Sequence, residues 1–289
     1  MLDREARWSL PVALATLIAI GLLVASTVIV RSVSGDGDSE VLRSVQEHSS
    51  AVTASGVMQA VAFLLLVAPL LYLFRAAQAR SSQVRGQLIG LVIAAPLFLS
   101  LAAILTTVAT TDAASDFVAG KATSDLTRAA ANGDCKDERR DDDAAFRDEF
   151  GNGKGSGALQ RCADAKIADD RAEEAISDAP TRAMATGLGL GGRLGLAFAL
   201  FYSCLWAMRV GLLSRFWGSL GMAMGAAALL LLVQFTLIWF LYFALLVMGW
   251  IPKGRPPAWA AGEAIPWPTP GEKAAADLDP ADEKGQSAP

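Results

Sequence analysis

The chain has 289 residues, of which 53% are hydrophobic and only 19% are charged. A soluble domain carries about 25% charged residues, so this composition argues against a soluble enzyme and favours a chain whose apolar residues face lipid. The formal net charge of −4 also disfavours a nucleic-acid-binding protein, which needs positive charge against phosphates.

Four apolar stretches are long enough to cross a bilayer as helices, because a hydrocarbon core of about 30 Å requires roughly 20 residues. They cover residues 8–30, 51–74, 87–110 and 184–208. Backbone groups cannot stay unpaired in lipid, so the sequence predicts an all-α, polytopic transmembrane helix bundle. The first stretch is too long for a cleaved signal peptide, and we expect it to remain as an anchor.

The fifth apolar stretch, residues 216–251, is long for one transmembrane helix and short for two. No Gly or Pro interrupts residues 226–248, which favours one tilted helix. Lys253 and Arg255 follow directly, however, and basic residues prefer the cytoplasm, which favours a hairpin turning near Gln234. The chain therefore has five or six spans, and we favour six.

Basic residues indicate which side of the membrane each connection faces. Residues 75–85 contain three arginines and no acid, and residues 209–215 contain two arginines and no acid. Both segments are expected in the cytoplasm by the positive-inside rule. This places the N-terminus in the cytoplasm and residues 32–50 and the acidic segment 111–183 outside. The Ala-rich composition with more Arg than Lys suits a bacterium with GC-rich DNA, so we expect the membrane to be a bacterial cytoplasmic membrane.

Cys135 and Cys162 are the only cysteines of the acidic segment, and thiols outside the cytoplasm can oxidise. We expect a disulfide between them, the alternative being two unpaired thiols. The Ala-rich residues 158–179 favour helix, while few large apolar side chains are available for an independent core. The segment is therefore expected to be an extracytoplasmic helical hairpin that extends the third and fourth spans.

Small residues repeat every four positions along the fourth span and predict a helix-packing groove. They are Gly187, Gly191, Gly195, Ala199 and Ser203. Small side chains let helices approach closely in lipid. The favoured interpretation is packing within the bundle, and the alternative is an interface with a second copy or another membrane protein.

Three polar residues lie within apolar stretches. Arg193 interrupts the fourth span and is a functional-site candidate, because charge inside a span is costly. It alternatively snorkels to the headgroups or pairs with an external carboxylate such as Asp112 or Asp116. Gln59 and Gln234 are expected to form hydrogen bonds between helices.

Residues 252–289 form a Pro-containing tail that is predicted to be largely disordered. Trp259 and Trp267 are expected at the headgroup level or, alternatively, as anchors for a partner. The stretches AMRVGLLSRFWGSLGM (residues 207–222) and GRPPAWAAGEAIPWP (residues 254–268) resemble a family of uncharacterised bacterial multi-pass membrane proteins. The resemblance implies six helices followed by a Trp/Pro-rich tail, and no activity.

No residue pattern indicates catalysis, a metal or a cofactor. The single histidine, His48, cannot form an H-E-x-x-H site, and the acidic run near residue 140 lacks the spacing of a calcium loop. We therefore expect a non-enzymatic structural, regulatory or partner-binding bundle in the lipid bilayer, with a second copy or a membrane protein as partner and no nucleic acid. The alternative is a small transporter or channel with a polar path near Arg193, Gln59 and Gln234.

Overall fold

The computed structural model describes residues 2–33, 35, 37–141, 143–150, 156–229, 233–251 and 254–267. Every regular element in these ranges is a helix, which confirms the all-α prediction. Four helical segments are long and apolar enough to cross a membrane. They are Glu5–Ser32, Ser49–Arg80, Gly86–Val118 and Arg182–Arg209, and they contain the first four predicted spans.

The α-helices are numbered in chain order. The first five are α1 (Leu2–Ser32), α2 (Asp38–Glu47), α3 (Ser49–Leu65), α4 (Val67–Arg80) and α5 (Ile89–Val118). The next four are α6 (Arg128–Asp141), α7 (Asp143–Phe150), α8 (Ser156–Asp178) and α9 (Arg182–Arg209). The last three are α10 (Arg215–Leu229), α11 (Val233–Met248) and α12 (Pro257–Ala261). The break between α3 and α4 precedes Pro69, whose nitrogen carries no hydrogen for the helical ladder.

The chain divides into two compact units. Unit 1 comprises Met1–Ile20, Leu65–Pro96 and Arg193–Pro289, and unit 2 comprises Gly21–Leu64 and Leu97–Gly192. The core of unit 1 is rich in large side chains that are fully buried. They include Phe74 of α4, Leu200 of α9, and Trp239, Phe240 and Phe243 of α11.

The fifth apolar stretch forms two helices, α10 and α11, rather than one continuous helix. The helices pack against each other: the ring of Trp217 stacks on that of Tyr242 at 3.5 Å, and the indole N–H of Trp239 donates to the Trp217 carbonyl at 3.1 Å. The two helices have 15 and 16 residues, or about 22 and 24 Å.

The described residues of the acidic segment include the helices α6, α7 and α8, and the predicted hairpin extending the third and fourth spans stays a prediction. Helix α5 ends after Val118 because Gly120 adopts a left-handed conformation with φ +69°. The amide of Lys121 donates to the Asp116 carbonyl, which completes a Schellman turn. Residues 121–127 then run without helix to α6.

Unit 2 has a small core centred on a disulfide between Cys135 of α6 and Cys162 of α8, with the two Cα atoms 6.1 Å apart. Both cysteines are fully buried, together with Phe146 of α7 and Ala158 of α8. The predicted pairing of the two cysteines is thus present. The segment thus has a small buried cluster with few large apolar side chains, and the disulfide supplies much of its centre.

Helix α2 lies against α8 through a second cluster of buried side chains, including Leu42, Val45 and Ala172. The backbone amide of Ser39 donates to the carboxylate of Asp169 on α8 at 3.0 Å. A carboxylate at a helix N-terminus satisfies an amide that has no partner within the helix and complements the helix dipole. Asp169 therefore fixes the start of α2.

Candidate functional site

The predicted small-residue groove of α9 is only partly buried. Gly195, Ala199 and Ser203 are buried, Gly191 is half-buried and Gly187 is exposed. Four residues turn a helix by about 400°, so a row with this spacing drifts by about 40° at each step. The row therefore leaves the packed face of the helix towards the start of α9.

One close approach of α9 to α5 involves Gly192, which the four-residue row did not contain, and another involves Gly195 of that row. A Cβ on Gly192 would lie 2.9 Å from the backbone nitrogen of Leu99, within unit 2. A Cβ on Gly195 would lie 2.8 Å from the Cβ of Ala95, within unit 1. These positions pack within the chain, and the Gly-Gly pair at 191–192 was the signal available in the sequence.

Three glycines of α10 make similar close contacts in unit 1. A Cβ on Gly218 would lie 2.8 Å from the Met208 side chain, and one on Gly225 would lie 2.9 Å from the Ala197 carbonyl. Gly221 faces the side chains of Cys204 and Trp239. Helix α10 is therefore held tightly between α9 and α11 by its glycine face.

The tail tryptophans contact other residues of this chain, and their expected placement at headgroups or on a partner stays a prediction. Trp259 is only 7% exposed, and its ring stacks on that of Tyr72 with 5.8 Å between centroids. Its indole N–H donates to the Leu212 carbonyl at 2.9 Å, and that of Trp267 donates to the Leu213 carbonyl at 2.8 Å. Both acceptors lie just beyond α9, where carbonyls lack helical partners.

The tail also crosses the α9–α10 connection at very short range. The amide of Ile265 donates to the Val210 carbonyl at 3.2 Å. The neighbouring Gly211 has φ +79°, and a Cβ at this position would collide with the Ile265 carbonyl. Only glycine fits here, because the backbone conformation and the close tail both exclude a side chain.

A buried ion pair lies under the tail. The Arg80 guanidinium donates to both carboxylate oxygens of Glu5, at 2.8 and 2.9 Å, and the two side chains are 0% and 15% exposed. Arg80 also donates to the carbonyls of Ala258, at 3.1 Å, and Ala76, at 2.9 Å. Its guanidinium lies 5.6 Å from the ring centroid of Trp259. This one side chain connects α1, α4 and α12.

Sequence reasoning used Arg80 only as an indicator of the cytoplasmic side. Its charge satisfies the positive-inside rule equally well whether it is exposed or buried, so the rule could not reveal the pair. The signal that could have found it was Glu5, an acid at the start of an apolar span. Such a carboxylate needs a cationic partner when the helix end is buried.

The polar residues predicted within the spans are described unit by unit. Arg193 is half-buried on α9 and belongs to unit 1, whereas Gln59 is half-buried on α3 and belongs to unit 2. Asp116, a predicted partner of Arg193, pairs with Lys121 at 2.9 Å. The side chain of Gln234 and tail residues 268–289 lie outside the described residues.

Two carboxylates of unit 2 have pKa values that their surroundings shift. The Ser124 hydroxyl donates to the Asp170 carboxylate at 2.6 Å, and the Leu126 amide donates to the same carboxylate at 3.1 Å. These hydrogen bonds hold the pKa of Asp170 below its usual range. The negative charge of Asp125, followed by desolvation and further acids, raises the pKa of Glu174. Within the described ranges, no group of three or more His, Cys, Asp or Glu residues is placed to hold a metal.

Over the part of the chain that the structure describes, these observations define an all-helical protein with four helical segments able to cross a membrane. No protein-family model, curated protein or solved structure matches the chain. The resemblance of residues 207–222 and 254–268 to a membrane-protein family therefore stays a prediction.

Proposed function

We propose that the chain is a non-enzymatic, partner-binding bundle of a bacterial cytoplasmic membrane. Its membrane helices carry large apolar side chains on their outer faces, such as Ile18 and Val28 of α1 and Phe198 of α9, which are 55%, 62% and 62% exposed. Exposed apolar faces of this kind suit contact with lipid. The N-terminus lies in the cytoplasm, with the basic segments 75–85 and 209–215 beside it.

Contacts within unit 1 support this common side for the basic segments. Glu5 near the N-terminus pairs with Arg80, and the backbone amide of Arg85 donates to the Tyr202 hydroxyl at 2.9 Å. The tail covers the α9–α10 connection through Trp259. The N-terminus, the two basic connections and the tail thus share one end of this unit.

The observation that carries the partner-binding proposal is the disulfide-centred core of unit 2. Helices α6 to α8 enclose Cys135 and Cys162, both 0% exposed, and α2 is fixed to α8 through Asp169. Lipid alone does not require an ordered layer of short polar helices outside the spans. A rigid layer reduces the ordering cost of association, which suits recognition of another protein.

The test is affinity purification of the tagged full-length protein in mild detergent, with quantitative mass spectrometry of what co-purifies. We compare the wild type with the double variant Cys135→Ala/Cys162→Ala and the matched control Cys204→Ala. Cys204 is buried and unpaired in unit 1, so its variant controls for loss of a buried thiol. The proposal expects a near-stoichiometric partner that the double variant loses and the control retains.

Two results would overturn this proposal. One is a wild-type protein that purifies reproducibly by itself, and the other is a partner held equally by the double variant. Accumulation of each variant in the membrane is measured in parallel, so that loss of the partner is not confused with loss of the protein.

A transporter or channel is the second candidate, and Arg193 favours it. Helix α9 has 28 residues and Arg193 is the twelfth, which places it about 16 Å from the start of the helix. A half-buried charge this far inside a span is a functional-site candidate. Solute or ion flux into liposomes should fall for Arg193→Ala and stay unchanged for Arg182→Ala, which removes an exposed arginine from the start of the same helix.

A further inference from the structure

A groove with a volume of about 470 Å³ lies between α1 and α4 in unit 1. Its volume falls in the range of about 300–1,000 Å³ that is typical of ligand sites. The lining is mostly apolar at one end, where Val12, Ala68 and Leu71 contribute. At the other end Arg75 and Gln78 provide polar groups.

The apolar and polar parts of the groove are separated along α4. Ala68 and Gln78 are ten residues apart in this helix, which corresponds to about 15 Å. Ala76 and Ala79 also line the groove, and their small side chains leave its polar end open. The groove is therefore elongated and amphipathic, with apolar walls leading to a basic end.

The charge that the groove offers to a ligand is positive. Glu5 also lines it, but both of its carboxylate oxygens accept hydrogen bonds from the buried Arg80. Arg75 is exposed, and no ion pair joins it to a carboxylate among the described residues. An anionic group at this end would thus meet a cation whose charge is not already neutralised.

We infer that the groove binds an anionic phospholipid of the bilayer, with its phosphate at Arg75 and an acyl chain along Val12 and Leu71. Trp8 lines the same groove and is 55% exposed, and tryptophan at a span end marks the headgroup level of a membrane. Basic pockets between transmembrane helices on the cytoplasmic side are suited to anionic headgroups. This inference requires the proposed membrane placement but no protein partner.

The first test is native mass spectrometry of the full chain in detergent, titrated with phosphatidylglycerol or phosphatidylcholine. The inference expects one phosphatidylglycerol to bind in preference to phosphatidylcholine. Arg75→Gln should weaken phosphatidylglycerol binding about fivefold, the effect of one basic residue near an anionic headgroup, and remove the preference. Arg85→Gln is the matched control, because Arg85 is an exposed arginine of the same segment outside the groove.

A steric variant tests the apolar half separately. Ala68→Phe places a large side chain in the groove and should weaken both lipids, whereas Ile18→Phe changes an exposed position of α1 outside it and should have no effect. Equal binding of the two lipids by the wild type would overturn the inference, as would equal effects of Arg75→Gln and Arg85→Gln. A dimer that Ala68→Phe dissociates would also overturn it, because a second copy would then occupy the groove. Failure of the protein-partner experiment leaves these results unaffected.

Discussion

Replacement of Glu5 by Gln should destabilise unit 1, because it leaves the Arg80 charge without a carboxylate. Removing one partner of a buried ion pair costs about 3–5 kcal/mol. Arg80 keeps the Ala76 and Ala258 carbonyls as acceptors, and Glu5 is 15% exposed, so we expect the lower end of this range. A loss of about 3 kcal/mol corresponds to roughly a 150-fold change in the opening equilibrium.

Hydrogen exchange in detergent micelles measures this opening directly. The start of α1 and residues 257–261 of α12 should exchange about two orders of magnitude faster in Glu5→Gln than in the wild type. Glu263→Gln is the control, because Glu263 is an exposed acid of the same tail. Equal protection of α12 in the wild type and in Glu5→Gln would refute the importance of the pair.

A double variant separates the cost of an unpaired charge from the value of the pair itself. Replacing both partners with uncharged side chains, as in Glu5→Gln/Arg80→Met, leaves no buried charge. The double variant should therefore be more stable than Glu5→Gln alone. If the losses of stability caused by the two substitutions instead add, Arg80 and Glu5 act independently, and the reasoning from the ion pair fails.

Four further predictions concern unit 2. The Cys135–Cys162 bridge joins residues 27 apart, and its reduction should lower the stability of the folded state by about 3.5 kcal/mol on the chain-entropy model. Hydrogen exchange in α6 and α8 should become faster, and unchanged exchange would contradict this prediction. Asp170→Asn should lower thermal stability at neutral pH, since hydrogen bonds to the carboxylate hold its pKa below 3.8, and the difference should vanish as the pH falls below that value. Glu174→Gln should raise stability at neutral pH because neighbouring acids raise the pKa of Glu174 above 4.5, and acidification should remove this gain. A loss of stability at neutral pH would argue against repulsion between Glu174 and these acids. Gly192→Ala should destabilise the α5–α9 contact by about 1–3 kcal/mol, whereas Gly187→Ala, which faces open space, should be neutral in the same thermal assay.

The membrane helices could be predicted because their signal is local. Each apolar run by itself specifies a helix that suits a bilayer, and Glu5–Ser32 and Gly86–Val118 agree closely with the predicted spans. The Cys135–Cys162 pair could also be predicted, since only two cysteines lay in the expected oxidising segment. Neither inference required knowledge of how distant parts of the chain pack.

The tail contacts could not be predicted in this way, because they join residues far apart in the sequence. Arg80 meets a carbonyl of α12 178 residues later, and no periodic pattern specifies that contact. Composition alone indicates a largely disordered tail and does not predict which residues the tail contacts. Trp259 is ordered because its ring and its indole N–H both find partners, Tyr72 and the Leu212 carbonyl.

The tail contacts bear on the number of spans, because they constrain the two ends of the α10–α11 pair. The α9–α10 connection precedes the pair and residues 254–267 follow it, and hydrogen bonds from Ile265 and Trp267 join them. We therefore expect the chain to enter and leave this pair on one side of the membrane, as in the six-span arrangement. In intact cells, a membrane-impermeant maleimide should leave Ala260→Cys unlabelled and label Ser115→Cys, both exposed positions. Labelling of Ala260→Cys as strongly as Ser115→Cys would place the tail outside and refute the cytoplasmic assignment of this end.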